Sequence, residues 1–188
     1  MKLAIWASAA LVTFSPLASE AVQLTALYTP LTSTTWKVDL TLSNNDPTLV
    51  SPSNPGGVVS EFTVFFPFAR YTHLSSLAAP AAWDALVIQP DSSPSDGYVD
   101  YLVGAAAAPL GIGQSLGGLS IGFTYSGAVA PGALTYTVVD PTTFATLFQG
   151  QAVVVPEPEA SALLLLGLLG LGAWVWRQPA RRPAKGSF

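Results

Sequence analysis

The segment TTWKVDLTLS, residues 34–43, sets Trp36, Val38, Leu40 and Leu42 against Thr35, Lys37, Asp39 and Thr41. A period of two marks a half-buried strand, because successive side chains point to opposite faces of a sheet. The same alternation recurs in Leu119, Ile121, Phe123 and Tyr125 against Ser120, Gly122 and Thr124, and again in Leu134, Tyr136 and Val138 against Thr135 and Thr137. Pro131-Gly132 reads as the turn between these last two runs. Further strands fit Val22 to Thr29, Val58 to Phe68, Ala82 to Ile88, Tyr98 to Val103 and Thr143 to Val155, the last with a break at Gly150. Helical periodicity is absent between the two ends. About eight short strands separated by Gly, Pro, Asn, Asp and Ser predict an all-β, antiparallel β-sandwich.

Composition narrows the function classes. The chain has 188 residues and no cysteine, and 10% of it is charged, against roughly 25% in an ordinary soluble domain. Without cysteine there is no disulfide, no thiol nucleophile and no Cys-based zinc site, so the fold rests on burial. From Val22 to Val155 the bases are Lys37 and Arg70, and the acids are Asp39, Asp46, Glu61, Asp84, Asp91, Asp96, Asp100 and Asp140. That acidic balance argues against a nucleic-acid partner. The loop SNNDPTLVSPSNPGG, residues 43–57, is the longest polar break and a candidate for mobility.

The ends read as addresses. Residues 1–21 have Lys2, an apolar run from Leu3 to Phe14, Pro16 and small residues, the layout of a secretory signal peptide cleaved after Ala21. A membrane helix is the competing reading, and the run is short for one. At the other end, Ala160 to Trp176 carries no charge and is followed by Arg177, Arg181, Arg182 and Lys185 without an acid. A helix of that length rises about 25 Å, the short end of a membrane span, and the one-sided basic tail favours the cytoplasmic side. The expected division is a signal peptide at 1–21, an exported domain at 22–155 and a C-terminal unit at 156–188.

Pro156-Glu157-Pro158, then the apolar helix, then the basic tail, resembles the PEP-CTERM sorting signal of Gram-negative bacteria. The resemblance implies that Pro156, Glu157 and Pro158 are the motif recognised by an exosortase-type membrane enzyme. It further implies an inner-membrane intermediate with the domain outside, and a final place at the outer cell surface or in an extracellular matrix, with exopolysaccharide as a partner. WDALVIQPDSSPSDGYVDYL and LSIGFTYSGAVAPGALTYTVVDPTTFATLFQG, including the D-P-x-T-F ending, are similar to a recurring ectodomain of such proteins, for which no activity is implied.

Chemistry-bearing patterns in the middle are few. Gly113-Gln114-Ser115-Leu116-Gly117 matches G-x-S-x-G, but a nucleophile elbow needs a helix after the serine, and Gly118 to Ser126 reads as strand. The single histidine, His73, is most simply a strand residue. Asp84, Asp91, Asp96 and Asp100 form the densest acid cluster. Asp91, Asp96 and Asp100, with Ser93, Ser95 and carbonyls, are candidate calcium ligands, though Asp96-Gly97 equally reads as a hairpin turn. Asp84 and Asp100 are the pair that can meet across strands as glycosidase carboxylates. Trp36 and Trp83 are candidate sugar-stacking residues, with core packing as the competing reading. No residue is assigned a catalytic role. The expectation is a non-enzymatic structural or adhesive surface protein, with a carbohydrate-binding module and a secreted hydrolase as alternatives.

Overall fold

A computed structural model describes residues 22–91, 95–156 and 167–169. The expected signal peptide with Ala21, Ser93, Glu157 and Pro158, most of the apolar helix, and the tail with Arg177, Arg181, Arg182 and Lys185 lie outside the described residues. Residues 167–169 are helical. Among the described residues no helix is long and apolar enough to cross a membrane.

The rest is all-β, in two five-stranded sheets. The first contains β1 (Val22–Pro30), β2 (Thr35–Asn44), β4 (Tyr71–Ala78), β7 (Gln114–Tyr125) and β10 (Val153–Val155), in the order β10-β1-β2-β7-β4. The second contains β3 (Glu61–Phe66), β5 (Trp83–Ile88), β6 (Gly97–Val103), β8 (Thr135–Val139) and β9 (Thr146–Gln151), in the order β5-β6-β3-β8-β9. All pairs are antiparallel except β1 with β10, where Thr25, Ala26 and Leu27 lie beside Val153, Val154 and Val155.

The inward halves of the alternating strands make one core. Leu24, Val38, Leu40, Leu42, Leu119, Ile121 and Phe123 of the first sheet meet Phe62, Val64, Phe66, Val99, Tyr101, Tyr136 and Val138 of the second. Phe66 and Phe123 touch across the gap, ring centroids 5.8 Å apart. The Tyr136 hydroxyl donates to the Val22 carbonyl at 2.6 Å, so its one polar atom is satisfied where the ring is buried.

The described residues hold ten strands against an expectation of about eight, and each difference has a local cause. The segment YTHLSSLA lacks the alternation of a strand because its inward residues, Tyr71 and Leu74, are three apart. His73 lies between them at φ 53, and the pairing of β4 with β7 slips between Thr72 and Ser75. This is a β-bulge, which adds one residue and erases the period of two. The segment from Thr143 breaks at Ala152 rather than Gly150. There the chain leaves the second sheet and joins the first, with the Ala152 N–H donating to the Leu134 carbonyl. Pro131-Gly132 does not close a hairpin, since β7 and β8 belong to opposite sheets.

The long polar loop after β2 is pinned. Asn44 is fully buried and donates to the carbonyls of Gly57 and Leu110. Asp46 caps the 3-10 turn Pro47–Leu49 by accepting from the Thr48 N–H at 2.7 Å. Asn54 donates to Leu49 and Val58. Asn and Asp side chains here replace the backbone partners that a strand would supply.

Candidate functional site

The chain reaches the Pro-Glu-Pro motif straight from a strand. β10 ends at Val155 and Pro156 follows it. Trp36 is half-buried and lines a depression of about 270 Å³ with Tyr28, Pro131, Val154, Val155 and Pro156. It therefore flanks the start of the motif and is not a free platform. Trp83 is buried and packs edge-on to Phe62 at 5.9 Å, so the core reading holds for it and the sugar-stacking reading does not.

The acids fall in several places. Asp91 bridges to Ser95 in the β5–β6 hairpin. Asp96 accepts from the Phe68 N–H at 3.0 Å and ties that hairpin to the turn after β3. Asp100 lies four residues on, about 13 Å along the strand, and accepts from the Thr63 hydroxyl at 2.6 Å. The Asp96 and Asp100 carboxylates thus take separate partners, and among the described residues no group of three or more metal-ligating side chains converges. Gly97 is required by sterics: a Cβ there would sit 2.5 Å from Pro90 Cδ.

G-x-S-x-G is a strand entry with a bulge. Gly113 has φ 78, and Gly118, just past the motif, has φ 78 where the β2–β7 register shifts opposite Thr41. Ser115 pairs with Ser43, hydroxyl to hydroxyl at 2.8 Å. His73 flanks the far end of β7, about 25 Å from Ser115 by strand length. The D-P-x-T-F ending is the β8–β9 loop. Asp140 accepts from the N–H groups of Thr142 and Thr143, and Phe144 stands at φ 57, 77% exposed. The Ser53 hydroxyl first, then these N–H groups, hold the Asp140 carboxyl below its usual range.

What the strand register does assemble is the outer face of the second sheet. One row across it reads Leu86, Asp100, Thr63, Thr137 and Gln149. On one side of that row lie Ile88, Tyr98 and Phe65, and on the other Asp84, Leu102, Glu61 and Val139. Five strands spaced about 4.8 Å make the face about 19 Å wide. Phe65 and Tyr98 are a cross-strand ring pair at 6.1 Å. Beside them a depression of about 260 Å³ is lined by Phe65, Pro67, Asp96, Thr135, Thr137 and Gln149. Leu86, Ile88 and Leu102 remain 57%, 38% and 40% exposed, an apolar strip that no part of the described chain covers.

Electrostatically this face has one sign. β3, β5, β6, β8 and β9 carry Glu61, Asp84 and Asp100 but no Lys or Arg, with Asp96 at the start of β6. Burial raises Glu61 above its usual range, and the charges of Asp100 and Asp140 add to it. Burial also raises Asp100, against the lowering effect of the Thr63 hydrogen bond. Asp84 and Asp100 do share this face, diagonally across β5 and β6, but on an open sheet surface. Of this set, the sequence marks out the acids and sets Thr135 and Thr137 opposite the apolar positions of their strand, but it does not single out Phe65 or Gln149. In EFTVFF the apolar run hides which phenylalanine faces out, and only the strand register shows it to be Phe65.

No family model matches the chain, and no curated protein matches it. Among solved structures, the family GH20 exo-β-N-acetylglucosaminidase of Vibrio harveyi, in complex with N-acetylglucosamine, is 11% identical over 73% of this chain, with a TM-score of 0.36. The match spans only 18% of that enzyme's length. A chain of a type I cohesin–dockerin complex from Clostridium thermocellum is 14% identical over 72% of this chain and 100% of its own, TM-score 0.35. The second type II cohesin module of the ScaA scaffoldin of Acetivibrio cellulolyticus is 12% identical over 74% and 96%, TM-score 0.34. Likeness at this level carries neither activity nor partner across.

Proposed function

We propose that this chain is an exported, non-enzymatic surface protein of the structural or adhesive class, in which residues 22–155 are the working module and 156–188 a sorting sequence of PEP-CTERM type. In this reading the leader is removed after Ala21, and the apolar helix and basic tail hold the chain in the inner membrane. An exosortase-type enzyme then acts at or near Pro156-Glu157-Pro158, and the module is delivered to the outer surface or matrix.

The observation that carries this reading is where the last strand ends. β10 pairs with β1 through Val155 and Pro156 is the next residue, so among the described residues the last sheet partner lies just before the motif. A cut within or after the motif would leave every sheet partner in place. Proline lacks a backbone donor and disfavours helix in the residue before it, so a Pro-Glu-Pro sequence suits recognition by a processing enzyme that grips extended chain. The non-enzymatic part is supported by the separation of Ser115 from His73 and by the open surface on which Asp84 and Asp100 lie.

Intact mass tests it, measured on the protein from the cell exterior and from the membrane fraction. The expected external species begins near Val22 and ends near the Pro-Glu-Pro motif. An external species that retains residues 160–188 would overturn the sorting reading in favour of a plain membrane anchor.

A further inference from the structure

We infer that the outer face of the second sheet is a binding surface for a polysaccharide whose hexose units carry free amino groups, with one sugar ring seated against Phe65. This names a partner for the adhesive role proposed above and rests on that reading for its setting. The binding itself is a property of the sandwich, whatever becomes of residues 156–188.

The shape of the site comes first. A pyranose offers an apolar face of C–H groups and a rim of hydroxyls, so it needs a ring to lie on and hydrogen-bonding groups around that ring. The depression beside Phe65 offers residues of both kinds: about 260 Å³, lined by Phe65 and Pro67 and by the polar residues Thr135, Thr137, Gln149 and Asp96. It combines an apolar lining with a few polar groups that fix orientation, the usual form of a small-molecule site. Tyr98, 6.1 Å from Phe65, extends the aromatic surface toward Ile88 and Leu86. A chain of sugars can therefore continue across the strands beyond the first ring.

Charge then selects the polymer. Glu61, Asp84, Asp96 and Asp100 lie on or beside the face, and its five strands hold no base. A polysaccharide bearing carboxylates or sulfates would be repelled. Glu61 and Asp100 are diagonal neighbours across β3 and β6, and Asp100 adds to the upward shift of Glu61. An ammonium group placed between them offsets that repulsion, whereas a neutral sugar leaves it in place. Asp100 is held in position for this by the Thr63 hydroxyl.

The test is binding of the purified full-length protein, in detergent, to soluble chitosan, a neutral β-glucan, polygalacturonate and polylysine. Phe65→Ala, Gln149→Ala and, on the opposite sheet, Ser43→Ala serve as variants, with thermal melts run on each. Chitosan binding is expected, weakened at least about tenfold by Phe65→Ala, as loss of an aromatic anchor commonly does. Gln149→Ala, on an exposed edge strand, is expected to weaken it without changing the melt, and Ser43→Ala to leave it unchanged. Equal or tighter binding to the glucan or to polygalacturonate overturns the inference, as does binding to polylysine without chitosan, or chitosan binding that both Phe65→Ala and Gln149→Ala leave intact. Failure of the sorting reading shows instead in the mass of the external species, with chitosan binding retained.

Discussion

The side-chain amide of Gln89 pairs with the backbone of Leu74 as a strand would: Oε1 accepts from the Leu74 N–H at 2.8 Å, and Nε2 donates to the Leu74 carbonyl at 2.6 Å. The bulge at His73 turns Leu74 away from β7, and the residue just after β5 supplies both missing partners. One amide thereby joins the edge of the first sheet to the edge of the second.

Gln89→Ala leaves a donor and an acceptor of the partly buried Leu74 backbone unpaired. The expected cost is about 2 kcal/mol, from two hydrogen bonds worth about 1 kcal/mol each, read as a lower denaturant midpoint with unchanged slope. Gln89→Glu keeps the acceptor but sets a carboxylate against the Leu74 carbonyl. Its loss at neutral pH is expected to shrink as the pH is lowered and the acid becomes a donor.

Asp100 gives a pH signature. Its carboxyl is raised above its ordinary value of 3.8 because burial disfavours the charge. The folded state therefore holds the proton more tightly, and the stability this supplies is present below 3.8 and lost as the pH rises through the folded value. Asp100→Asn, which still accepts from Thr63, is expected to melt above the parent at pH 7, with the gap closing below pH 3.8. Asp140, lowered in the folded state, slopes the opposite way in both proteins and cancels in the comparison. A gap that is constant across the range would show that burial of the Asp100 charge is not the cause.

The two tryptophans separate core from rim. Trp83→Ala removes a buried ring from beside Phe62 and is expected to cost about 3–5 kcal/mol. Trp36→Ala, half-buried beside Pro156, is expected to cost about 1–1.5 kcal/mol. Equal losses in denaturant unfolding would place Trp36 in the core as well.

Gly113, the first glycine of the hydrolase-like motif, is there for the backbone. Gly113→Ala meets no atom within 4 Å, so its expected cost is the left-handed conformation alone, about 1–2 kcal/mol. Gly113→Asn is expected to recover part of that. Ser115→Ala is expected to cost under about 0.5 kcal/mol, being an exposed strand position. Gly97→Ala acts by another route, forcing a Cβ against Pro90 and opening the β5–β6 hairpin, with an expected loss of about 1–3 kcal/mol. Chemical denaturation of the four variants ranks these effects.

The amino-acid pattern alone indicates the class of fold and the side on which most residues of β2, β8 and the 119–125 part of β7 fall, since a period of two is a local property that pleating converts into faces. It also shows the shortage of bases between Val22 and Val155 and the lack of cysteine. Which strands are neighbours follows from packing in three dimensions. β1 beside β10 and β2 beside β7 are pairings of distant segments, selected by how both sheets close over one core. Bulges at His73 and Gly118 add a residue and reset the phase, so local alternation fails where they occur. The candidate binding face follows from the same cause. Asp100 was visible as an acid, but its place among Thr63, Thr137, Phe65 and Tyr98 depends on cross-strand register, which no local pattern encodes.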